Sequence, residues 1–153
     1  MMKTYIAGKW QDRERIEKNV RPYLEAMGFE IISSWHSSKV NPEETPEERA
    51  ARIVNDARRD WHEIEGCDCF ILLPLLDKEK TAKDTFYPPG SVAGVESSAR
   101  YTELGMAMAS GDREIIIVGD HQNIFVHLCP NRVDSWTGIR QAKEYTRDRS
   151  TVD

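Results

Sequence analysis

The sequence predicts a single α/β domain over residues 1–153, with a mostly parallel sheet of about five strands and helices on both faces. Two continuous apolar runs, at residues 69–73 and 115–118, are typical of strands buried on both faces. Segments with the apolar spacing of helices alternate with these strands. Such alternation produces a parallel sheet with right-handed crossovers. The predicted fold class is therefore doubly wound, either flavodoxin-like or Rossmann-like.

The first half of the chain shows clear limits between elements. Residues 5–8 predict a short first strand. Residues 12–27 predict a helix, in which Pro22 produces a kink or a later start. Gly28 is placed to cap its C-terminus, and residues 29–33 predict the second strand.

The next helix has the clearest start signal in the sequence. Thr45 is an N-cap residue, Pro46 occupies the first helical position, and Glu48 follows three residues after the cap. Gly66 ends the helix. The apolar residues between these limits fall on one stripe, which consists of Ala50, Ile53, Val54, Ala57, Trp61 and Ile64.

The second half predicts a helix over residues 97–110 and a strand over 114–119. Residues 124–128 fit either a short helix or a strand, and residues 132–134 fit an edge strand. A closing helix is predicted from residue 136 to about residue 147.

Composition excludes several classes of function. The chain is 39% hydrophobic and 31% charged, with a net charge of −5 and 26 acidic against 21 basic residues. This balance argues against a nucleic-acid partner, and no apolar run is long enough for a membrane span. The start of the chain is too weakly apolar for a signal peptide. Cys67, Cys69 and Cys129 cannot form a full disulfide framework, and no metal-ligand spacing accompanies them. We expect a soluble protein of the reducing cytoplasm, without a metal site.

Ligands of parallel sheets bind outside the carboxyl ends of the strands. This rule selects residues 8–10, residues 34–36, the segment after Leu73 and the segment after Gly119. The loop over residues 77–95 exceeds the usual length, so it is either disordered or functional.

Three acidic residues near these segments have alternative interpretations. Spacing alone describes Glu103 as a solvated carboxylate about two turns into its helix, with Arg100 as a modest partner. Asp60 borders the apolar stripe, so its carboxylate must be hydrogen-bonded or functional. Asp68 is either the polar start of a strand or a site residue.

Polar residues at two further positions are candidate ligand contacts. Ser97 and Ser98 open a helix, where they either cap it or contribute to an anion site. His36, beside Trp35, is the histidine placed at the carboxyl end of a strand, where it could meet a ligand.

These pieces together resemble a known family. The first strand reads Tyr-Ile-Ala-Gly, Asp60 precedes Asp68 by eight residues, and Glu-Leu-Gly-x-Ala begins at Glu103. In this order and spacing they resemble the nucleoside 2-deoxyribosyltransferase family, which includes 2'-deoxynucleoside 5'-monophosphate N-glycosidases. The resemblance covers the chain from residue 5 to about residue 119.

The resemblance implies roles for most of the candidate residues. Glu103 matches the catalytic nucleophile. Asp60 and Asp68 match acidic positions that hold the sugar and assist proton transfer to the leaving base. Tyr5 and Gly8 match the first-strand segment that lines the pocket.

The resemblance also matches two positions to the parts of the substrate on either side of the sugar, the 5'-phosphate and the base. Ser97 matches a position that binds the 5'-phosphate in the monophosphate hydrolases, and His36 falls near the base-side loop. The chain departs from the family at residues 99–102, where glycines are replaced by bulkier residues. Arg100 is consequently a candidate phosphate contact.

The function implied is cleavage of the N-glycosidic bond of a (2'-deoxy)nucleoside or its 5'-monophosphate. A Glu nucleophile would form a glycosyl-enzyme intermediate, which is resolved by water or by a second base. No cofactor is implied, and the family's assemblies imply a homo-oligomer, a dimer or larger. The alternative is a non-catalytic nucleotide-binding or signalling domain on the same fold.

Overall fold

The computed structural model describes residues 1–76 and 99–140. Within them, five parallel strands form one sheet of order β2-β1-β3-β4-β5. This order is flavodoxin-like, which confirms the predicted fold class. The strands are β1 (Met2–Ala7), β2 (Phe29–Ile31), β3 (Cys69–Leu72), β4 (Glu114–Val118) and β5 (Arg132–Val133). The α-helical segments are α1 (Arg13–Arg15), α2 (Arg21–Ala26), α3 (Pro46–Gly66) and α4 (Ala99–Ala109).

The strand order reverses between β1 and β3. The chain moves from β1 to β2 in one direction, and then from β2 to β3 to β4 in the other. Right-handed crossovers therefore place α1 and α2 on one face of the sheet and α3 and α4 on the other. The helices α3 and α4 pack against each other and against β1.

The first helical region is less regular than the single helix predicted over residues 12–27. A 3₁₀ turn over Trp10–Asp12 leads into α1, and a π-helical turn over Ile16–Val20 separates α1 from α2. Pro22 follows this turn. Its ring lacks an N–H and clashes with the carbonyl of a regular helix, so a wider turn accommodates it. Ile16, Val20 and Leu24, which have the apolar spacing of one helical face, are all buried.

The predicted end signals of two helices are confirmed. Gly28 follows α2 with a φ of 91°, a conformation that glycine adopts without strain. At the start of α3, the Thr45 side chain accepts a hydrogen bond from the Glu48 amide at 3.1 Å.

The apolar stripe of α3 is exposed over most of its length. Ile64 is buried, but Ile53, Val54 and Trp61 expose 54%, 47% and 56% of their surface. A helix of 21 residues is about 31 Å long, whereas a strand of 4 residues spans about 13 Å. The N-terminal part of α3 therefore extends beyond the sheet it covers.

The last described segments settle what the sequence left open. Residues 124–128 form a 3₁₀ helix, and β5 pairs with β4 as the predicted edge strand. A 3₁₀ turn covers Trp136–Gly138 and the backbone is extended at Ile139, so the closing helix does not begin at residue 136. The rest of that predicted helix and the loop 77–95 lie outside the described residues. None of the described helices has the length and hydrophobicity needed to cross a bilayer.

Candidate active site

A carboxylate and a phenol meet where α4 packs on the sheet. Glu103, in the second turn of α4, accepts a hydrogen bond from the hydroxyl of Tyr5 in β1. The Tyr5 ring stacks on Phe70 of β3 with centroids 5.7 Å apart. The pair therefore lies at the β1–β3 junction, where the strand order reverses and ligands of doubly wound sheets bind. Two of the residues predicted for the site are thus brought into contact.

Glu103 is strongly perturbed by this environment. Burial raises its pKa to about 7, and the negative charges of Asp60 and Glu63 act in the same direction. The hydrogen bond from Tyr5 and the charge of Arg59 oppose this shift. Burial also raises the pKa of Tyr5, so its hydroxyl remains a donor at neutral pH. A carboxyl group that titrates near neutrality in a cleft is typical of a catalytic group.

Asp60 lies beside this pair on α3 and is half-buried, as its place at the edge of the stripe predicted. Arg59 donates to its Oδ1 from Nε and Nη2, at 3.1 and 2.9 Å. The same guanidinium binds Asp56 through Nη1 at 3.1 Å. Burial raises the pKa of Asp60, and the hydrogen bond from Arg59 opposes the shift. Asp60 is therefore both hydrogen-bonded and close enough to influence Glu103.

Glu63 belongs to the same group of acids, although it is not among the residues predicted from the sequence. Its position three residues after Asp60 places both on one side of α3, and this spacing was the available signal. Its carboxylate accepts hydrogen bonds from the amide and the hydroxyl of Ser34, at 3.1 and 2.5 Å.

Asp68 lies apart from this group, at the amino-terminal end of β3. Its Oδ2 accepts a hydrogen bond from the Lys3 amide at 3.0 Å, and its own amide donates to the Lys3 carbonyl at 2.7 Å. The structure therefore does not bring Asp68 together with Glu103 at the carboxyl edge of the sheet.

His36 is buried and satisfied on both ring nitrogens. Its Nε2 contacts the Ser33 hydroxyl at 2.9 Å, and its Nδ1 contacts the carboxylate of Glu17. Because the Glu17 carboxylate can only accept, Nδ1–H donates to Glu17, and Nε2 of the neutral ring accepts from the Ser33 hydroxyl. The Ser33 oxygen also accepts from the Ile6 amide at 3.1 Å. Burial lowers the pKa of His36, consistent with this neutral form. His36 thus joins the turn after β2 to Glu17 in the first helical region.

Gly8 follows the end of β1, and its lack of a side chain leaves room for the Ile16 and Trp35 side chains. A Cβ atom there would lie 2.9 Å from Cδ1 of Ile16 and 3.6 Å from the indole ring of Trp35. A side chain at this position would therefore displace the residues that support the end of β1.

Arg100 is buried at the start of α4 and anchors it to the sheet. Its Nη1 donates to the Leu73 carbonyl at 3.0 Å, and its Nη2 donates to the Tyr101 hydroxyl at 3.0 Å. The Tyr101 hydroxyl contacts Nδ1 of His121, whose Nε2 contacts the Val118 carbonyl at 2.9 Å. The network joins α4 to the carboxyl ends of β3 and β4. Ser97, the predicted phosphate contact, lies outside the described residues.

A cavity of about 490 Å³ opens between the end of β1 and the N-terminal half of α3. Its volume is within the range of small-molecule sites. Arg59 connects its wall to the acidic group, since it binds both Asp56 and Asp60. The lining consists of Trp10, Ser38, Lys39, Val40, Asn41, Pro42, Glu44, Arg49, Arg52 and Asp56.

Comparison with solved structures identifies proteins of the same fold. No protein-family model matches the chain, and no curated protein matches it by sequence. Among solved structures, a CMP N-glycosidase from Clostridium botulinum, BcmB, is similar with a TM-score of 0.50 and 18% identity over 97% of this chain and 98% of that chain. A 2-deoxyribosyltransferase from Bacillus psychrosaccharolyticus is similar with a TM-score of 0.55 and 14% identity over 99% of this chain and 92% of that chain.

At these identities the similarity establishes the fold. The two proteins are a glycosidase and a deoxyribosyltransferase, the two kinds of enzyme that the sequence resemblance names. In the described part of the chain, no cluster of three or more His, Cys, Asp or Glu residues is arranged to hold a metal ion.

Proposed function

We propose that this protein cleaves the N-glycosidic bond of a (2'-deoxy)nucleoside or its 5'-monophosphate. The observation that carries the proposal is the Glu103 carboxyl group, bound to Tyr5 and flanked by Asp60 at the β1–β3 junction. Cleavage of this bond develops positive charge at the anomeric carbon, which a carboxylate on one face stabilises or attacks. The similar structures of a glycosidase and a deoxyribosyltransferase support the same reaction class.

In the proposed mechanism, ionised Glu103 attacks the anomeric carbon while the bond to the base breaks. The electron pair of that bond leaves with the base, which takes a proton from an acid. Asp60 is the proposed acid, since it lies beside Glu103 and burial raises its pKa. Asp68, which the resemblance matches to a similar role, lies at the amino-terminal end of β3 against the Lys3 backbone and takes no part in this step. Water or a second base then displaces Glu103 from the sugar.

The decisive experiment is a chromatographic screen of nucleosides and nucleoside 5'-monophosphates, with and without an acceptor base. Release of free base supports hydrolysis, and a new nucleoside that appears only with an acceptor supports transfer. Saturable nucleotide binding without any product would instead favour the non-catalytic nucleotide-binding alternative.

The monophosphate form of the substrate is proposed from the match of Ser97 to a phosphate-binding position. A 5'-phosphate would then be bound by that residue near the start of α4. Matched rates for a deoxynucleoside and its monophosphate would remove this part of the proposal.

We propose that the base enters the cavity beside Trp10. The Arg13 guanidinium lies over one face of the Trp10 ring at 4.5 Å, and the opposite face is the proposed stacking surface. The Asp56–Arg59–Asp60 chain leads from the cavity wall to the acid. Because stacking of a base on an aromatic ring contributes about 1–3 kcal/mol, Trp10→Ala is expected to raise KM roughly tenfold with a smaller change in kcat. Steady-state kinetics test this, and an unchanged KM would contradict it.

A homo-oligomer is proposed for the complete enzyme. The apolar side chains Ile53, Val54 and Trp61 on α3 are exposed, and so is Met106 on α4, the helix that packs against α3. Exposed apolar surface of this kind is typical of protein interfaces. The double variant Ile53→Asp/Trp61→Asp is therefore expected to shift the protein to monomer in sedimentation velocity. Ile124→Asp, at an exposed apolar position on the 3₁₀ helix after β4, is the control. A monomeric wild-type protein would contradict the proposal.

A further inference from the structure

The turn after β2 is attached to α3 through one side chain. Glu63 accepts the Ser34 amide on Oε2 at 3.1 Å and the Ser34 hydroxyl on Oε1 at 2.5 Å. Both oxygens of the carboxylate therefore bind a single residue, at the start of the 3₁₀ turn Trp35–Ser37. A carboxylate that accepts two hydrogen bonds from one residue restricts both the position and the orientation of that residue.

The same turn is attached to β1. The indole N–H of Trp35 donates to the Ile6 carbonyl at 2.7 Å, and the Ser33 oxygen accepts from the Ile6 amide at 3.1 Å. Ile6 directly follows Tyr5, the partner of Glu103. Glu63 thus connects α3, through this turn, to the strand that holds the Tyr5 hydroxyl.

Glu63 also contributes its charge to the site. The titratable and charged groups around it are Tyr5 from β1, His36 from the turn, Asp56, Arg59 and Asp60 from α3, and Glu103 from α4. Its negative charge raises the pKa of both Asp60 and Glu103, whereas the charge of Arg59 lowers both. The protonation of the two proposed reacting groups therefore depends on a third carboxylate.

We propose that Glu63 is a positioning residue of this site, which holds the turn after β2 against α3 and, through Trp35, supports the strand that carries Tyr5. The inference rests on the proposed function for its kinetic consequence. Its structural and electrostatic parts concern the protein without substrate, so they can be tested whatever the activity is.

The Glu63→Gln variant tests the charge. The amide oxygen of glutamine accepts from the Ser34 amide, and its NH₂ group donates to the Ser34 oxygen, so the connection is kept while the charge is removed. We expect the titration midpoint of Glu103, followed by carboxyl ¹³C NMR, to fall by roughly half a pH unit or more. If base is released, the acidic limb of the kcat/KM profile is expected to move to lower pH with it.

The Glu63→Ala variant tests the connection. It removes both hydrogen bonds to Ser34, so the indole N–H of Trp35 is expected to exchange with solvent about tenfold faster or more. In Glu63→Gln this exchange is expected to remain close to wild type. Glu65→Gln is the matched control, because Glu65 is exposed on the same helix and its side chain makes no hydrogen bond or ion pair within the described residues, while its backbone carbonyl accepts from Arg113 at 2.6 Å.

The outcomes separate the two proposals. A Glu103 midpoint in Glu63→Gln equal to that of wild type and Glu65→Gln overturns the electrostatic part, and unchanged Trp35 exchange in Glu63→Ala overturns the positioning part. A wild-type protein that releases no base from any substrate overturns the proposed function instead, and the NMR measurements still decide the role of Glu63.

Discussion

Replacement of Glu103 by glutamine is expected to reduce base release by at least about 10³-fold, the scale of losing a nucleophile. Glutamine has nearly the same shape, and its amide oxygen can still accept the hydrogen bond from Tyr5. It cannot form the glycosyl ester through which the proposed reaction passes. Chromatography of the released base measures the rate, and mass spectrometry of rapidly denatured wild-type enzyme is expected to detect a deoxyribosyl group on Glu103.

The same substitution is expected to stabilise the protein at alkaline pH. The pKa of Glu103 rises from an ordinary 4.5 to about 7 in the folded protein, so the folded state binds this proton more tightly than the unfolded chain. The resulting stability is complete below about pH 4.5 and is lost as the pH rises through about 7. Neutral glutamine avoids this loss, which amounts to up to about 3 kcal/mol.

Urea denaturation at several pH values measures this effect. Glu103→Gln is expected to exceed wild type in unfolding free energy at pH 9 and to match it near pH 4. Loss of activity together with this gain would show that the variant is inactive because the carboxylate is missing and not because it unfolds. If Glu103→Gln and wild type were equally stable at pH 9, the raised pKa of buried Glu103 would be contradicted. Wild-type activity in Glu103→Gln would contradict the role of Glu103 as nucleophile.

Replacement of Tyr5 by phenylalanine is expected to move the pH dependence of the reaction upward. The Tyr5 hydroxyl donates to Glu103 and favours its ionised form. A hydrogen bond to a charged group contributes about 1.5–3 kcal/mol, which corresponds to a shift of about 1–2 pH units. Because the nucleophile must be ionised, we expect kcat/KM at pH 7 to fall about tenfold or more and to recover partly at pH 9.

A pH profile of kcat/KM distinguishes this effect from a simple loss of packing. Tyr23→Phe is the control, because Tyr23 also loses a hydroxyl hydrogen bond, to the Thr137 carbonyl at 2.6 Å, but does not contact Glu103. An acidic limb at the same pH in wild type and Tyr5→Phe would remove the proposed role of the hydroxyl.

Local signals in the sequence predicted the fold well where burial and end signals agree. The apolar runs of β3 and β4 identified the centre of the sheet, and Thr45 and Gly28 marked helix ends correctly. The apolar stripe on α3 suggested a buried face, but most of it is exposed. Helical spacing shows which residues share a side of the helix but not how far the helix extends beyond the sheet.

The candidate site was predicted in part. Glu103, Tyr5 and Asp60 came from the family resemblance, and the fold brings them together. Glu63 was missed because its one signal, the three-residue spacing from Asp60, is common among the acids of a charged helix. Asp68 shares the predicted spacing with Asp60, yet it lies at the opposite end of its strand, since eight residues include the end of α3 and the turn into β3.

The sequence by itself determined the alternation of strands and helices, the central strands and the chemical types of the candidate residues, because these depend on local spacing and composition. Only the tertiary structure decided that the Tyr5 hydroxyl reaches Glu103, that Glu63 binds Ser34, and that His36 is occupied by Ser33 and Glu17. Most of these contacts join residues on different elements. The pKa shifts of the site residues depend on burial and on neighbouring charges, which only the folded arrangement of strands and helices brings together.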